Sequence, residues 1–205
     1  MEFKIITFDD TSFIAPSWEE MGEVNFELIK QVRSSGKKYD RVIALSKGGL
    51  TWARAFVDGL EMDELSSLRI KLYKGIGEKS AEPEIVEPLT VDIMGKTVLL
   101  FDDVVDTGET YEFAKKLLLE KYGAAKVDTA ALFYKPHSVI MPDYSVGETT
   151  AWIVFPHEVH EFIQETAPKW RAAGLSDDEF LKRYNTLGLP AKQVKYYLNN
   201  LKIGH

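Results

Sequence analysis

The 205-residue sequence predicts an α/β fold in which a mostly parallel central sheet is flanked by helices. Three observations predict it. Residues 98–101 form an apolar run, which is typical of a strand buried on both faces. A second such run, at residues 41–45, leads into a glycine-containing loop and a helix. The first run ends in adjacent carboxylates, and open α/β sheets bind their ligands at the carboxyl ends of their strands.

The N-terminal part of the chain is predicted to contain a strand and a helix. Residues 3–8 alternate loosely between polar and apolar side chains, which indicates an edge strand. Ser17 and Glu20 have the spacing of a capping box at a helix N-terminus. Apolar residues then recur at helical period until Gly36, which stands where a helix-ending glycine would. We therefore expect one helix between these signals, with its apolar stripe packed in the core.

The loop after residues 41–45 has the composition of an anion site. It consists of Ser46, Lys47, Gly48 and Gly49. A helix over about 50–60 follows, so the amides of the loop and of the helix N-terminus can converge on an anion. Taken alone this motif is not specific, because paired glycines are common in ordinary turns between a strand and a helix.

A long segment without a steady period follows the third predicted strand, at residues 68–73. Residues 74–90 combine glycine, proline and charge. A loop of this length inside a compact domain is usually functional or mobile. A disordered surface insertion is the alternative interpretation.

The stretch after residues 98–101 carries the strongest functional signal in the chain. Its polar members are Asp102, Asp103, Asp106, Thr107, Gly108, Glu109 and Thr110. The turn from Asp106 to Thr110 leads into a helix, so its N–H groups and hydroxyls converge on a position suited to a phosphate. The structural alternative is a strand that ends in a solvated acidic turn.

Strands and helices continue to alternate after this turn. In order, we expect a helix over 109–122 that ends at Gly123, a strand over 127–134 that leads into Lys135 and Pro136, an irregular connection over 140–150 and a short strand over 151–155.

Residues 161–205 are predicted to form a C-terminal helical extension. A helix over 159–173 is expected to be interrupted at Pro168, and Ser176 and Glu179 have the spacing of a second capping box. The last two helices meet around Gly188 and superficially resemble a helix-turn-helix. A packing or oligomerisation role is nevertheless favoured.

Composition excludes several classes of protein. The chain has no cysteine, so disulfides and thiolate chemistry are unavailable to it, which fits a cytosolic protein. Its N-terminus lacks the features of a signal peptide, and no apolar run is long enough for a membrane span. The formal net charge of -7 disfavours nonspecific binding to nucleic acid.

The segment from residue 98 to residue 110 resembles the ribose-phosphate signature of the type I phosphoribosyltransferases. That signature is a hydrophobic run, two acidic residues, two apolar residues and Asp-Thr-Gly-x-Thr, and every position is filled here. The resemblance covers roughly residues 20–160 and implies the fold of that family. It places a phosphoribosyltransferase domain at 1–160, with a hood loop at about 71–95, and leaves 161–205 as an extension outside the resemblance.

Resemblance to this family also implies the substrate contacts. The loop of Ser46, Lys47, Gly48 and Gly49 matches the loop that binds the diphosphate of phosphoribosyl diphosphate, with a cis peptide expected between Ser46 and Lys47. Asp102, Asp103 and the turn from Asp106 to Thr110 would hold the ribose and its 5′-phosphate. Tyr73 matches a hood tyrosine, although Leu72 replaces the serine that precedes it in purine enzymes, which puts that hydroxyl contact in doubt.

A narrower resemblance, to the 6-oxopurine enzymes of the bacterial and archaeal xanthine–guanine type, rests on Lys135-Pro136 and on residues 152–158. It implies that Lys135 donates to the 6-oxo group, that Trp152 stacks on the base and that the backbone at Ile153 reads the base edge. It further implies that Asp102, Asp103 and, through water, Glu158 hold Mg²⁺.

These resemblances imply transfer of a 5-phosphoribosyl group to guanine, xanthine or hypoxanthine by a homo-oligomer, either a dimer or a tetramer. Asp106 would be the general base. The alternative is a regulator of the same fold that binds the ligand without turnover. Receiver domains also carry an acidic pair and a Lys-Pro, but here the acidic pair lies mid-chain and no residue is placed as a phosphoacceptor.

Overall fold

The computed structural model describes residues 2–73 and 82–201. The chain divides into two compact units, a smaller one of Met1–Met21 with Thr150–His205 and a larger one of Gly22–Thr149. In chain order, the elements are β1 (Ile6–Phe8), β2 (Thr11–Ile14), α1 (Trp18–Ser34), β3 (Arg41–Leu45), α2 (Gly48–Gly59), β4 (Leu65–Tyr73), β5 (Glu82–Glu87), β6 (Thr97–Val105), α3 (Glu109–Glu120), β7 (Lys126–Tyr134), β8 (Tyr144–Glu148), β9 (Trp152–Ile153), α4 (Val159–Ala172), α5 (Asp177–Thr186) and α6 (Ala191–Asn199).

The larger unit is built on a six-stranded sheet with strand order β5-β4-β3-β6-β7-β8. All neighbouring pairs are parallel except β4 and β5. Strand β6 lies in the middle, and its apolar run from Val98 to Phe101 is completely buried, as its composition predicts. The predicted α/β fold is therefore confirmed.

Strands β3 and β6 are neighbours, and their register decides where the polar residues lie. Ala44 pairs with Phe101, so the loop after β3 and the carboxylates of β6 reach the same edge of the sheet. Strand β6 extends beyond the acidic pair to Val105, which pairs with Tyr134 of β7. The carboxylates thus stand within the last residues of the strand instead of following it.

Two predicted irregular segments contain strands. Strand β5 lies within the predicted loop 74–90, where it pairs antiparallel with β4 and Ile85 faces Ile70. Residues 74–81 of the predicted hood lie outside the described residues. Strand β8 lies within the predicted irregular connection 140–150. Its Gly147, which suggests a loop, instead lets the strand pass Phe133, because a Cβ on this glycine would lie 2.5 Å from the ring.

The smaller unit combines a three-stranded sheet with the C-terminal helices. Strands β1 and β2 form a hairpin, and β2 pairs in parallel with β9. The edge strand predicted at 3–8 is shorter than expected, because β1 covers only Ile6–Phe8. The core of this unit is rich in aromatic residues from β2, α4 and α5. The predicted domain boundary at residue 160 stays a prediction.

Helix α4 is continuous, and the predicted interruption at Pro168 is wrong. A proline in a helix leaves the carbonyl four residues earlier without its bond, here that of Gln164. Both residues lie on the exposed face, where water can take the place of the lost bond. Among the described residues, no helix combines the length and the apolar character needed to span a bilayer.

Candidate active site

The carboxyl ends of β3 and β6 border a cavity of about 250 Å³ in the larger unit. The predicted site residues in its wall are Ser46, Asp102, Asp106, Thr107, Gly108 and Thr110. The remaining wall is mainly apolar and comes from Leu45, Ile70, Val104, Val105 and Tyr111. The fold therefore brings the loop after β3 and the turn after β6 to one concave site, as the topology of parallel strands requires.

The acidic pair at the end of β6 is held in surroundings that favour a cation. Asp103 is only 5% exposed, and its backbone N–H donates to Asp102 Oδ1 at 2.9 Å. Burial raises the pKa of Asp102 well above its ordinary value, and the charge of Asp103 raises it further. A divalent cation would relieve this repulsion, and carboxylate oxygens are the ligands that Mg²⁺ prefers. The two side chains therefore fit the predicted metal role.

The loop after β3 packs directly on the acidic pair. A Cβ on Gly48 would lie 2.5 Å from a carboxylate oxygen of Asp103, and one on Gly49 would lie 2.9 Å from the carbonyl oxygen of Phe101. Only glycine fits at either position without displacement. The peptide between Ser46 and Lys47 is cis, which confirms that prediction.

The N-terminus of α2 begins in this loop. Lys47 is the N-cap residue and contributes no side-chain cap. The hydroxyl of Ser46 is buried and has no hydrogen-bond partner among the described residues. An anion seated at the first turn of α2 would meet its backbone amides and a free hydroxyl, which fits the predicted diphosphate loop.

The turn after β6 depends on Gly108. This residue is the N-cap of α3 and has a φ of 85°, which glycine adopts most readily. A Cβ here would also lie 2.4 Å from Ser138 Oγ, so the turn has no room for a larger side chain. Thr107 and Thr110 flank this glycine in the cavity wall, and Glu109 is the exposed first residue of α3. The turn thus lies at a helix N-terminus, which fits the predicted phosphate role.

Two residues after β7 stand beside Asp106. Lys135 is 8% exposed; burial lowers the pKa of its ammonium group, and the charge of Asp106 partly counters that effect. His137 Nε2 lies 3.1 Å from Asp106 Oδ1. Lys135 is predicted to bind the purine, whereas no sequence pattern predicts a role for His137. The position of His137 could have indicated this contact. His137 follows β7, which is parallel and adjacent to β6, the strand that leads to Asp106.

The remaining predicted site residues lie elsewhere in the chain. Trp152 and Ile153 form β9 in the smaller unit; the indole is half-exposed and Ile153 is buried. Glu158 is the N-cap residue of α4 in that unit. Tyr73 is the last residue of β4.

Comparison with known proteins gives a consistent result. The model of the phosphoribosyl transferase domain matches residues 17–162. The xanthine-guanine phosphoribosyltransferase of Idiomarina loihiensis is 27% identical over 146 residues, which cover 70% of this chain and 86% of that protein. Among solved structures, the purine phosphoribosyltransferase from Pyrococcus horikoshii Ot3 is 33% identical with a TM-score of 0.63, over 70% of this chain and 92% of that one.

A hypothetical protein from Neisseria gonorrhoeae, solved with bound ppGpp, is 27% identical with a TM-score of 0.63 over 74% of this chain and 92% of that one. The family match spans both glycine-bearing turns, the acidic pair and β9, and it extends well beyond half of the chain. Sequence, topology and site thus agree, and the chain belongs to the phosphoribosyl transferase domain family.

Proposed function

We propose that this chain is a purine phosphoribosyltransferase, which transfers the 5-phosphoribosyl group of phosphoribosyl diphosphate to guanine, xanthine or hypoxanthine. The products are the purine nucleotide and diphosphate. The observation that carries the proposal is the cavity of the larger unit, which is lined by Ser46 of the glycine loop, Asp102 of the acidic pair and the turn after β6. The names of the Idiomarina and Pyrococcus relatives support a purine as the acceptor.

The sugar and the leaving group would be held by the elements around the cavity. Asp102 and Asp103 would take the ribose hydroxyls, directly or through Mg²⁺, while the turn from Asp106 to Thr110 would bind the 5′-phosphate. The loop from Ser46 to Gly49 would bind the diphosphate. Mg²⁺, when bound, would neutralise the charge that develops on that leaving group. The burial of Asp103 and the repulsion between the charges of Asp102 and Asp103 support this assignment, because a bound cation would relieve that repulsion.

Asp106 would act as the general base that removes a proton from the purine. Its carboxylate is 62% exposed at the cavity, so it is accessible to an incoming base. In the transfer, the ring nitrogen of the purine forms a bond to the anomeric carbon while the bond from that carbon to the diphosphate oxygen breaks. Asp106 accepts the N–H proton, and the electron pair of the broken C–O bond leaves with the diphosphate.

Recognition of the purine would use Lys135, Trp152 and Ile153. We assign Lys135 to the 6-oxo group, Trp152 to stacking and the backbone at Ile153 to the edge of the base. The exposed indole supports the stacking role. We further assign Glu158 to Mg²⁺, through water, and Tyr73 to a contact from the hood. The proposal also includes assembly into a homo-oligomer.

A second candidate function is ligand binding without turnover, as a regulator of the same fold. It is favoured by one observation, which is that the Neisseria gonorrhoeae relative was solved with bound ppGpp.

One assay separates the two functions. The chain is incubated with phosphoribosyl diphosphate, Mg²⁺ and each of guanine, xanthine, hypoxanthine and adenine, and released diphosphate and nucleotide are measured. Turnover with at least one oxopurine supports the transferase. Tight binding of phosphoribosyl diphosphate by calorimetry, with no diphosphate released for any base, would sink the transferase proposal and support the regulator.

A further inference from the structure

The contact between His137 and Asp106 lies beside the proposed reaction centre and has no role in the function proposed so far. The distance of 3.1 Å between His137 Nε2 and Asp106 Oδ1 is that of a hydrogen bond. Both side chains are well exposed, at 60% and 62%. An exposed pair of this kind needs further support before it can be considered part of the site.

That support comes from the backbone on both sides of the pair. The N–H of Lys135 donates to the carbonyl oxygen of Val105 at 2.9 Å, and the N–H of Val139 donates to the carbonyl oxygen of Thr107 at 2.9 Å. The two donors flank His137, and the two acceptors flank Asp106. The main chain therefore fixes the relative position of the two residues from both directions.

The turn within this segment is fixed as well. The N–H of Ser138 donates to the carbonyl oxygen of Lys135 at 3.0 Å, and Ser138 Oγ donates to the carbonyl oxygen of Ile140 at 2.7 Å. The same serine lies against Gly108, where no larger side chain would fit. The segment that carries His137 is thus packed on the turn from Asp106 to Thr110.

We propose that His137 is a positioning residue for Asp106, an inference that rests on the transferase function proposed above. An ionised carboxylate can only accept hydrogen bonds, so Nε2 carries the proton in this contact. The imidazole then occupies Oδ1 and restrains the carboxylate, which leaves Oδ2 to accept the N–H proton of the purine. Restraint of a base in this way raises turnover because fewer of its orientations are unproductive.

His137 is not the only basic side chain beside Asp106. Among the described residues, His137 and Lys135 both lie next to this carboxylate. Because Lys135 is assigned to the purine, the restraint of the Asp106 carboxylate is assigned to His137.

The kinetic test compares His137→Gln with His137→Ala. The amide nitrogen of glutamine can donate a similar hydrogen bond, whereas alanine cannot. We expect His137→Ala to lower kcat roughly tenfold, the effect of one hydrogen bond to a charged group, with KM for phosphoribosyl diphosphate within about twofold. His137→Gln should recover much of this loss, because it restores a hydrogen-bond donor beside Asp106.

A second measurement needs no turnover. The chain has four histidines, so the side-chain resonances of His137 can be assigned by their loss in His137→Gln. In Asp106→Asn the Nε2 resonance should move, while in Asp58→Asn, at an exposed residue of α2, it should not. An unmoved resonance in Asp106→Asn overturns the inference, as does a kcat of His137→Gln that is as low as that of His137→Ala. If the resonance moves but the unaltered chain turns over no base, the transferase proposal fails, and the role of His137 in proton removal fails with it.

Discussion

At the scale of single residues, the site depends on how closely the glycine loop approaches the acidic pair. Gly48 meets the carboxylate of Asp103, which is the movable end of a side chain, whereas Gly49 meets the carbonyl oxygen of Phe101, which the sheet holds in place. A methyl group at the first position therefore displaces a proposed metal ligand. A methyl group at the second position strains the backbone itself.

We expect Gly48→Ala to weaken binding of phosphoribosyl diphosphate with Mg²⁺ by at least tenfold, because the carboxylate of Asp103 must move away. Titration calorimetry measures the affinity, and far-UV circular dichroism checks the fold. Gly22→Ala on α1 is the matched control, since nothing lies within 4 Å of its Cβ position. That control should leave binding unchanged and stabilise the helix by about 0.5–1 kcal/mol. Equal affinities for the two variants would contradict the proposed role of the loop.

The exposed carboxylate of Asp106 allows a separate prediction about the chemical step. Asp106→Asn should lower kcat by roughly 10²–10⁴-fold, the usual contribution of a general base, because the amide cannot accept the purine proton. Affinity for phosphoribosyl diphosphate should stay within a few-fold. Steady-state kinetics and calorimetry give the two quantities. A large loss of affinity with normal turnover would mean that Asp106 binds the substrate and is not its base.

At the scale of elements, strand β7 is anchored near its beginning by a buried charge. The carboxylate of Asp128 accepts from Lys37 Nζ at 2.8 Å and from Tyr39 Oη at 2.7 Å, and Lys126 Nζ lies 3.3 Å away. Burial raises the pKa of Asp128, but the hydrogen bonds from Lys37, Tyr39 and Lys126 outweigh it and lower the pKa overall. The network connects β7 to the segment between α1 and β3.

The lowered pKa of Asp128 predicts how stability depends on pH. A carboxyl whose pKa is lower in the folded than in the unfolded state stabilises the fold above its unfolded pKa, and this stabilisation is lost as the pH falls through the folded pKa. Asp128→Asn should therefore lower the free energy of unfolding by about 1–3 kcal/mol near pH 7 and flatten its decline below about pH 4. Urea unfolding from pH 3 to pH 8 measures both effects. Asp58→Asn, in an exposed pair with Arg54, serves as the control and should change little.

At the scale of the whole molecule, each compact unit has a hydrophobic core of its own. The core of the smaller unit contains a group of aromatic rings. Trp170 lies 5.0 Å from Tyr184 and 6.1 Å from Phe180 between ring centroids, and Phe162 meets Tyr184 nearly edge to face. Phe180 and Tyr184 are completely buried. The C-terminal helices are therefore integral to the smaller unit.

Loss of one of these rings should destabilise the smaller unit. Phe180→Ala removes a fully buried side chain and should lower the free energy of unfolding of that unit by about 3–5 kcal/mol. Tryptophan fluorescence follows its unfolding in urea, because Trp170 is in the same core. Tyr196→Ala is the control, since its ring is largely exposed and should matter little. If both variants unfolded at the same urea concentration, the C-terminal helices would not depend on this core.

Features that depend on residues close in sequence were predicted correctly, whereas some features that depend on distant residues were missed. The capping boxes at Ser17 and Ser176 are present as expected, because the side chain that caps each helix lies within the same turn. Strands β5 and β8 were missed, since proline and glycine suggest loops unless a partner strand is known. Pro168 was expected to break a helix whose continuity depends on packing of the opposite face.

Within the site, the sequence by itself determined the chemistry on offer, namely two adjacent carboxylates, a phosphate turn and a glycine loop, because these are runs of neighbouring residues. Tertiary structure alone decided that the loop packs on the carboxylates and that His137 meets Asp106. Those contacts join residues from different strands, and they arise from the register of β3, β6 and β7. The hydrophobic pattern of a strand favours a register, but the register becomes fixed only when the strand pairs with its neighbours and buries its faces.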